Sequence, residues 1–239
     1  MKLLDLTLDS PAENLALDEA LLEQAEAEGS TDDVLRLWES RQTAVIIGRS
    51  SRIQHEVDVA ACAKEFVPVL RRCSGGTSVV IGPGCLMYSV ILSYDRNAAL
   101  QMVDVAHKYV LGQVAEAVQR FLPAATLQGT SDLTLDDRKF SGNSLRCKRS
   151  HLLYHGTLLC DFSLDQIGRW LKSPPRQPDY RQQRSHQEFL TNLGLDRAQL
   201  RTALVEQWQA CDVLESWPEA LTLELVEQRY SQATWHHRL

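Results

Sequence analysis

The sequence predicts an α+β fold, a mostly antiparallel sheet flanked by helices. Three observations carry this: short β-prone runs fall in two blocks, a long amphipathic pattern separates the blocks, and two helical patterns close the chain without a third block of strands. Taken in order, Ser10-Pro11-Ala12-Glu13 is a capping box with proline at the first helical position. Leu17, Leu21, Leu22 and Ala25 then recur at helical spacing until Gly29, so the first clear element is a helix. Val34–Trp38 and Ala44–Ile47 are β-prone, as are Val67–Leu70, Ser78–Ile81 and Leu86–Leu92. From about Ala98 to Phe121 a stripe of Val103, Ala106, Val110, Val114, Ala117 and Val118 predicts a helix over one face of the sheet, ended by Pro123.

More sheet follows that helix. Leu133-Thr134-Leu135 and Lys139-Phe140-Ser141 flank an Asp136-Asp137 turn and read as a hairpin, and His151 to Cys160 reads as a more buried strand. Ser163 is expected to open a short helix, with Gln166 in the capping-box position, that must end before Pro174-Pro175. The segment PPRQPDYRQQRS is too polar for a core and is expected as a surface loop. Asp196 to about Ala210 and Pro218 to about Tyr230 are the closing helices. The expectation is one α+β domain over residues 1–239, with the helices from about residue 192 packed on the same core.

Hydrophobic residues at 44% and charged residues at 23% exclude a disordered, collagen-like or coiled-coil chain. With 25 basic against 31 acidic side chains the formal charge is -6, so the overall field repels nucleic acid and anionic membrane, and neither is expected as a partner. Any anion must meet a local basic pocket. Six cysteines without a C-x-x-C pair read as thiols of a reducing compartment. The opening MKLLDLTLDSPAEN turns acidic too early for a signal peptide, and no run of about 18 apolar residues occurs, so a soluble, cytoplasmic protein is expected.

Three segments carry candidate chemistry. Arg71-Arg72-Cys73-Ser74-Gly75-Gly76-Thr77 sets two guanidinium groups and a glycine pair at a strand end, where backbone amides and planar donors can approach a carboxylate or phosphate. The alternative is a tight turn with solvated arginines. Neither a P-loop nor a dinucleotide-binding fingerprint is present. Arg138-Lys139-Phe140-Ser141-Gly142-Asn143-Ser144 puts a compact charge, suited to phosphate or a developing oxyanion, before a small-residue stretch; a solvated hairpin lysine is the alternative. Tyr154-His155-Gly156-Thr157 sets a histidine and a glycine in an apolar strand, either a close backbone approach or a half-buried histidine at a bulge.

RRCSGGTSVVIGPGCLMYSV, DDRKFSGNSLR and YHGTLL, in this order and with these separations, resemble the three signatures of the lipoate-protein ligase A family. That family's catalytic domain resembles those of the biotin ligases and the class II aminoacyl-tRNA synthetases. LRLWESRQTAVIIGRSSRIQHEV resembles the family's strand pair ending in a glycine-arginine turn, so the likeness runs from about Asn14 to about Thr191. Two departures stand out: Thr77 occupies the place of a frequent third glycine, and Ile81-Gly82 that of a His-Asp pair. The resemblance implies a two-step ligase, in which lipoate attacks the α-phosphate of ATP, with Mg2+, and an acceptor lysine then takes the lipoyl group from the adenylate. It implies Lys139 as the catalytic residue, Ser141 and Gly142 beside it, Arg71, Ser74, Gly75, Gly76 and Thr77 as the loop beside acyl chain and adenylate, His155, Gly156 and Thr157 as the lining strand, and Arg49 as the turn. The implied acceptors are lipoyl domains of 2-oxoacid dehydrogenase E2 subunits or the glycine cleavage H protein. Full-length ligases of this kind carry an accessory domain, so either the closing helices suffice or a separate accessory protein is needed.

Other functions stay open on the residues. An octanoyl or lipoyl transferase of the same fold needs an activated thiol, and Cys147, flanked by Arg146, Lys148 and Arg149, is the one cysteine near the lysine motif. A noncatalytic lipoate-binding protein would keep the pocket without the activation chemistry. Cys147, His151, His155 and Cys160 approximate a zinc spacing, but strand alternation sends Cys160 to the face opposite the histidines, so no metal ligands are assigned. Arg176, Arg181 and Arg184, with Arg146, Lys148 and Arg149, form the candidate docking patch for an acidic acceptor; two solvated basic loops are the alternative.

Overall fold

Long central strands carry the architecture. A computed structural model of the chain describes residues 1–174 and 176–239; Pro175, half of the expected helix stop, lies outside the described residues. Along the chain run β1 (Lys2–Asp5), α1 (Pro11–Glu28), β2 (Val34–Trp38), β3 (Ala44–Ile47), α2 (Ile53–Glu56), α3 (Val59–Lys64), β4 (Val69–Arg71), β5 (Val79–Ile81), β6 (Cys85–Ser93) and α4 (Val103–Gln119). Then follow β7 (Thr126–Gln128), β8 (Asp132–Leu135), β9 (Arg138–Cys147), β10 (His151–Leu159), α5 (Ile167–Trp170), α6 (His186–Phe189), α7 (Arg197–Gln207), β11 (Asp212–Val213), α8 (Glu219–Leu225) and α9 (Ala233–His236). An eight-stranded sheet has the order β11-β1-β2-β6-β10-β9-β8-β7, and a three-stranded sheet the order β4-β3-β5. Only the pairs β1–β2, β1–β11 and β3–β4 are parallel among the described residues, so the sheets are mostly antiparallel as expected.

The large sheet is buried on both faces because successive side chains alternate across it. Leu35, Leu37, Tyr88, Val90, Leu152 and Tyr154 point to the face covered by α4 and α7. Val34, Ile91 and Leu153 meet Leu17 and Leu21 of α1, while Trp38, Met87 and Leu159 meet the small sheet through Val45, Ile47 and Val80. The functional residues lie on this second face. The cross-strand register sets Arg36 opposite Ser89 and Trp38 opposite Met87, then Ser89 opposite His155 and Met87 opposite Thr157, and finally His155 opposite Ser144 and Thr157 opposite Gly142.

Local signals are realised in detail. The Ser10 hydroxyl accepts from the Glu13 amide and the Glu13 carboxylate from the Ser10 amide, and Gly29 ends α1 in the left-handed region at φ 61°. Asp136 and Asp137 have φ 51° and 59°, both positive, as a two-residue hairpin turn between β8 and β9 requires. The pattern from Ala98 becomes a 3-10 turn, Ala98–Gln101, followed by α4. Two expectations are corrected. Ser163 caps nothing with its side chain, because a 3-10 turn, Leu164–Gln166, leads into α5 and puts Gln166 at the helix start instead of its third position. The polar segment after Pro174 is not simply surface: Asp179–Arg181 turns inward and buries Arg181, whose guanidinium lies 4.7 Å from the Phe189 ring centroid and donates to the Arg184 carbonyl. Short β1, β7 and β11, with α2, α3 and α9, are additions that only pairing and packing create.

Candidate active site

The second sheet face, the glycine-rich loop and the 176–189 segment enclose a cavity of about 390 Å³, with an adjoining one of about 80 Å³ that shares Lys139, Gly142 and Thr157 with it. Its lining combines apolar side chains, among them Leu15, Trp38, Ile46, Ile81 and Met87, with charged ones, among them Arg72, Asp132, Lys139, Arg176 and Arg181. A cavity of this size, shape and polarity suits an acyl chain that ends in an anionic group.

His155 and Thr157 reach the cavity because they occupy alternate positions of β10 on the second face. The His155 Nε2 lies 2.6 Å from Ser74 Oγ, and its Nδ1 lies 3.2 Å from Asp18 Oδ2. The other Asp18 oxygen accepts from Arg36 Nη1 at 2.5 Å, and Arg36 also donates to Asn14 Oδ1 and the Leu6 carbonyl. Burial alone raises the Asp18 pKa, but the Arg36 charge and the His155 contact outweigh it, and the carboxyl titrates below its ordinary value. Ser74 in turn accepts from Arg72 Nε at 3.0 Å, and Arg72 donates to the carbonyls of Gly75 and Thr77. Burial lowers the Arg72 pKa to about 10. A buried chain of polar contacts therefore runs from α1 and β2 through His155 to the glycine loop.

The loop needs its glycines. Gly76 has φ 83°, and a Cβ at Gly48 would sit 1.9 Å from the Gly76 carbonyl oxygen, so the turn after β3 stacks directly on the loop. Across the sheet, a Cβ at Gly156 would fall 1.8 Å from Asn143 Oδ1, which accepts from the Tyr88 hydroxyl at 2.5 Å. The close approach read from the histidine strand is thus a side-chain crossing, Asn143 lying over Gly156.

Lys139, early in β9, points its Nζ to Asp132 Oδ1 at 2.7 Å, across the β8–β9 hairpin. The other Asp132 oxygen accepts from the Tyr180 hydroxyl at 2.7 Å. The ammonium passes over Gly142, where a Cβ would stand 3.1 Å from Nζ, so the small residue after Ser141 makes room for the lysine on the cavity wall.

Lys139, Gly76, Thr77, Gly142, His155, Gly156 and Thr157 are brought together around the main cavity, and Ser141 lines the adjoining one. Ser74 and Gly75 sit one layer back, holding His155, Arg72 and the Ser144 hydroxyl. Arg71 is corrected: its buried guanidinium faces away and donates to the carbonyls of Gly48, Arg49, Ser51, Trp235 and His236, while strand alternation gives the cavity to Arg72. Arg49 is corrected too, since its amide bonds the Ser74 carbonyl at 2.7 Å but its side chain is exposed outside the cavity lining. Cys147 is exposed at the far end of β9, and among the described residues no cysteine lines either cavity. The docking patch is also redrawn. Arg181 is buried and Arg176 lines the cavity, and Arg146 and Lys148 are engaged by Glu23. Asp18, Asp132 and Tyr180 were not singled out. Asp18 had a readable signal, an acid within the apolar run Leu15–Leu22 of a capped helix, whereas Tyr180 joins Asp132 only through the fold.

The family model described as the lipoyl protein ligase A/B catalytic domain matches residues 10–208. A probable lipoate-protein ligase A of Mycoplasma pneumoniae is 29% identical over 161 residues, 67% of this chain and 46% of that protein, so the chain spans about half of that relative's length. The lipoate-protein ligase A of Bdellovibrio bacteriovorus is 26% identical over 245 residues, 95% of this chain and 68% of that one. An octanoyltransferase, LipM, of Carboxydothermus hydrogenoformans is 29% identical over 178 residues, 68% of this chain and 66% of that one. Two solved structures share the fold: a bi-partite lipoate protein ligase of Thermoplasma acidophilum, described with its E2 lipoyl domain (TM-score 0.79, 22% identity, covering 100% of this chain and 96% of that one), and a lipoate-protein ligase A bound with ATP (TM-score 0.78, 24% identity, 99% and 98%).

Proposed function

Since the chain belongs to the lipoyl protein ligase A/B catalytic domain family, we propose that it activates lipoate with ATP and passes the lipoyl group to a lysine of a lipoyl domain. The observation that carries this reading is Lys139, whose ammonium, paired with Asp132, lines a cavity that also carries a set of apolar side chains. In the first step a lipoate carboxylate oxygen attacks the α-phosphorus of ATP and pyrophosphate leaves. In the second the acceptor amine attacks the lipoyl carbonyl, the C–N bond forms and AMP leaves. Charge builds on phosphate and then carbonyl oxygens, and a lysine already fixed by Asp132 offsets it without reorganising. Arg72, Arg176 and Arg181 add positive charge to the same cavity lining.

Mg2+ enters as part of the substrate, held mainly by phosphate oxygens. Among the described residues there is no group of three or more His, Cys, Asp or Glu that could hold a metal. The acceptor is the lipoyl domain of a 2-oxoacid dehydrogenase E2 subunit or the glycine cleavage H protein, in a reducing, cytoplasmic setting. Among the described residues no helix is long and apolar enough to cross a membrane. Residues 1–239 form the catalytic unit in this reading, and a second chain, as in the bi-partite ligase, is the alternative for activation.

The test is incubation of purified protein with lipoate, ATP and Mg2+ followed by mass spectrometry. Bound lipoyl-adenylate supports the ligase; an acyl thioester formed without ATP would replace it with the transferase reading. Adenylate that appears only when an accessory chain is added would make that chain part of the enzyme.

A further inference from the structure

A second cationic feature lies outside the cavity. Arg238 lies 4.1 Å from the Trp235 ring centroid and Arg229 4.9 Å, so one indole carries two guanidinium groups. Arg238 also donates to the Arg49 carbonyl at 2.5 Å, tying the end of the chain to the turn after β3. Arg49, Arg52 and Arg238 are exposed, and none has a carboxylate within salt-bridge distance among the described residues. Arg229 is held by the buried Glu19, so its site is neutral overall. Burial and then the positive charges of Arg49, Arg229 and Arg146 lower the Arg238 pKa, the signature of cations crowded together. On a chain of formal charge -6 these exposed arginines form a local positive face that complements an acidic surface.

Its position relative to the cavity is defined by backbone contacts. The Arg49 amide bonds the Ser74 carbonyl, and the Ser51 hydroxyl donates to the Gly76 carbonyl at 3.1 Å. Gly76 lines the cavity, so the arginine turn is one layer from it. Gly76 and Thr77, which line the cavity, are exposed, and the first of them has no side chain.

We propose that the Arg49–Arg238 face, beside Trp235, docks an acidic surface of the acceptor domain, whose lysine enters the cavity beside Gly76-Thr77. Arginine and tryptophan are the residues that most often anchor protein interfaces, and opposite charge sets the rate and register of encounter. This rests on the ligase reading and names the surface that its second step uses.

The test compares wild type, R49Q/R238Q, and a control, R41Q/R120Q, that removes two arginines elsewhere: Arg41 at the other end of β3 and Arg120 at the end of α4. Pyrophosphate exchange with lipoate and ATP reports activation, and transfer to a lipoyl domain of net negative charge reports docking, each from low to high salt. The expected result for R49Q/R238Q is unchanged exchange, an acceptor KM raised about tenfold at low salt, and a flatter salt dependence. The control should match wild type. Unchanged KM and salt dependence in R49Q/R238Q would overturn the proposal, as would loss of exchange, which would assign these arginines to the small-molecule site, or an equal KM rise in the control, which would reduce the effect to net charge. Wild-type protein without exchange would instead reject the ligase reading itself.

Discussion

Lys139 and Asp18 are both charged groups held in ion pairs, yet they do different work. Lys139 is partly exposed on the cavity wall, and its pairing with Asp132 aims a charge rather than filling a core. Lys139→Ala should lower the rate of adenylate formation by about a hundredfold or more, the usual effect of removing one such stabilising donor. Its melting temperature should stay near wild type. Single-turnover adenylate assays at equal folded fraction check this, and comparable activity would remove Lys139 from catalysis. Asp18 is buried beside Arg36, so Asp18→Asn leaves an uncompensated guanidinium in the core and should cost about 3–5 kcal/mol. The sign of its pH dependence follows from the depressed pKa. The stabilisation is complete above the unfolded value, near 3.8, and is lost as pH falls through the lower folded value. Denaturant melts between pH 2 and 6 should therefore show a steeper acid loss in wild type than in Asp18→Asn; parallel profiles would contradict it.

At the scale of elements, the hairpin β8–β9 and the segment after Pro174 supply Asp132, Lys139, Arg176 and Arg181 to the cavity lining. The hairpin fixes Lys139 and Asp132, and the 3-10 turn Asp179–Arg181 brings Tyr180 onto Asp132 and Arg181 over Phe189. On the proposed ligase reading this segment serves the small-molecule site. Arg176→Gln, which removes an exposed cavity-lining charge without disturbing a core, should raise the KM for ATP about three- to tenfold and leave the acceptor KM unchanged. Steady-state kinetics with each substrate varied in turn would show it. A change in the acceptor KM alone would return this segment to the docking role that its arginines suggest in the sequence.

Across the whole molecule, the thiols divide by burial. Cys62, Cys73, Cys85 and Cys160 are buried, and burial raises the pKa of Cys85 to about 12 and those of Cys62 and Cys160 to about 11, while Cys147 and Cys211 are exposed. Native protein should thus react with iodoacetamide at Cys147 and Cys211 alone, and Cys147→Ser should keep substantial ATP-dependent transfer. Peptide mapping and a transfer assay check both; an acyl group trapped on Cys147 would overturn the ligase mechanism. By itself the sequence determined what depends on neighbours along the chain: the capping box of α1, the Asp136-Asp137 turn, the strand period that sends His155 and Thr157 to one face, and the three motifs that meet around the cavity. Only the tertiary structure decided which of two adjacent arginines serves the cavity. Arg71 is taken by five carbonyls, two of them from the end of the chain, and Arg72 remains to hold the glycine loop. It likewise decided that Asp18 supports His155 and that Tyr180 supports Asp132, because those partners lie 137 and 48 residues apart in sequence. Local periodicity fixes the face a side chain points to; what waits there is set by chain segments that only packing brings near.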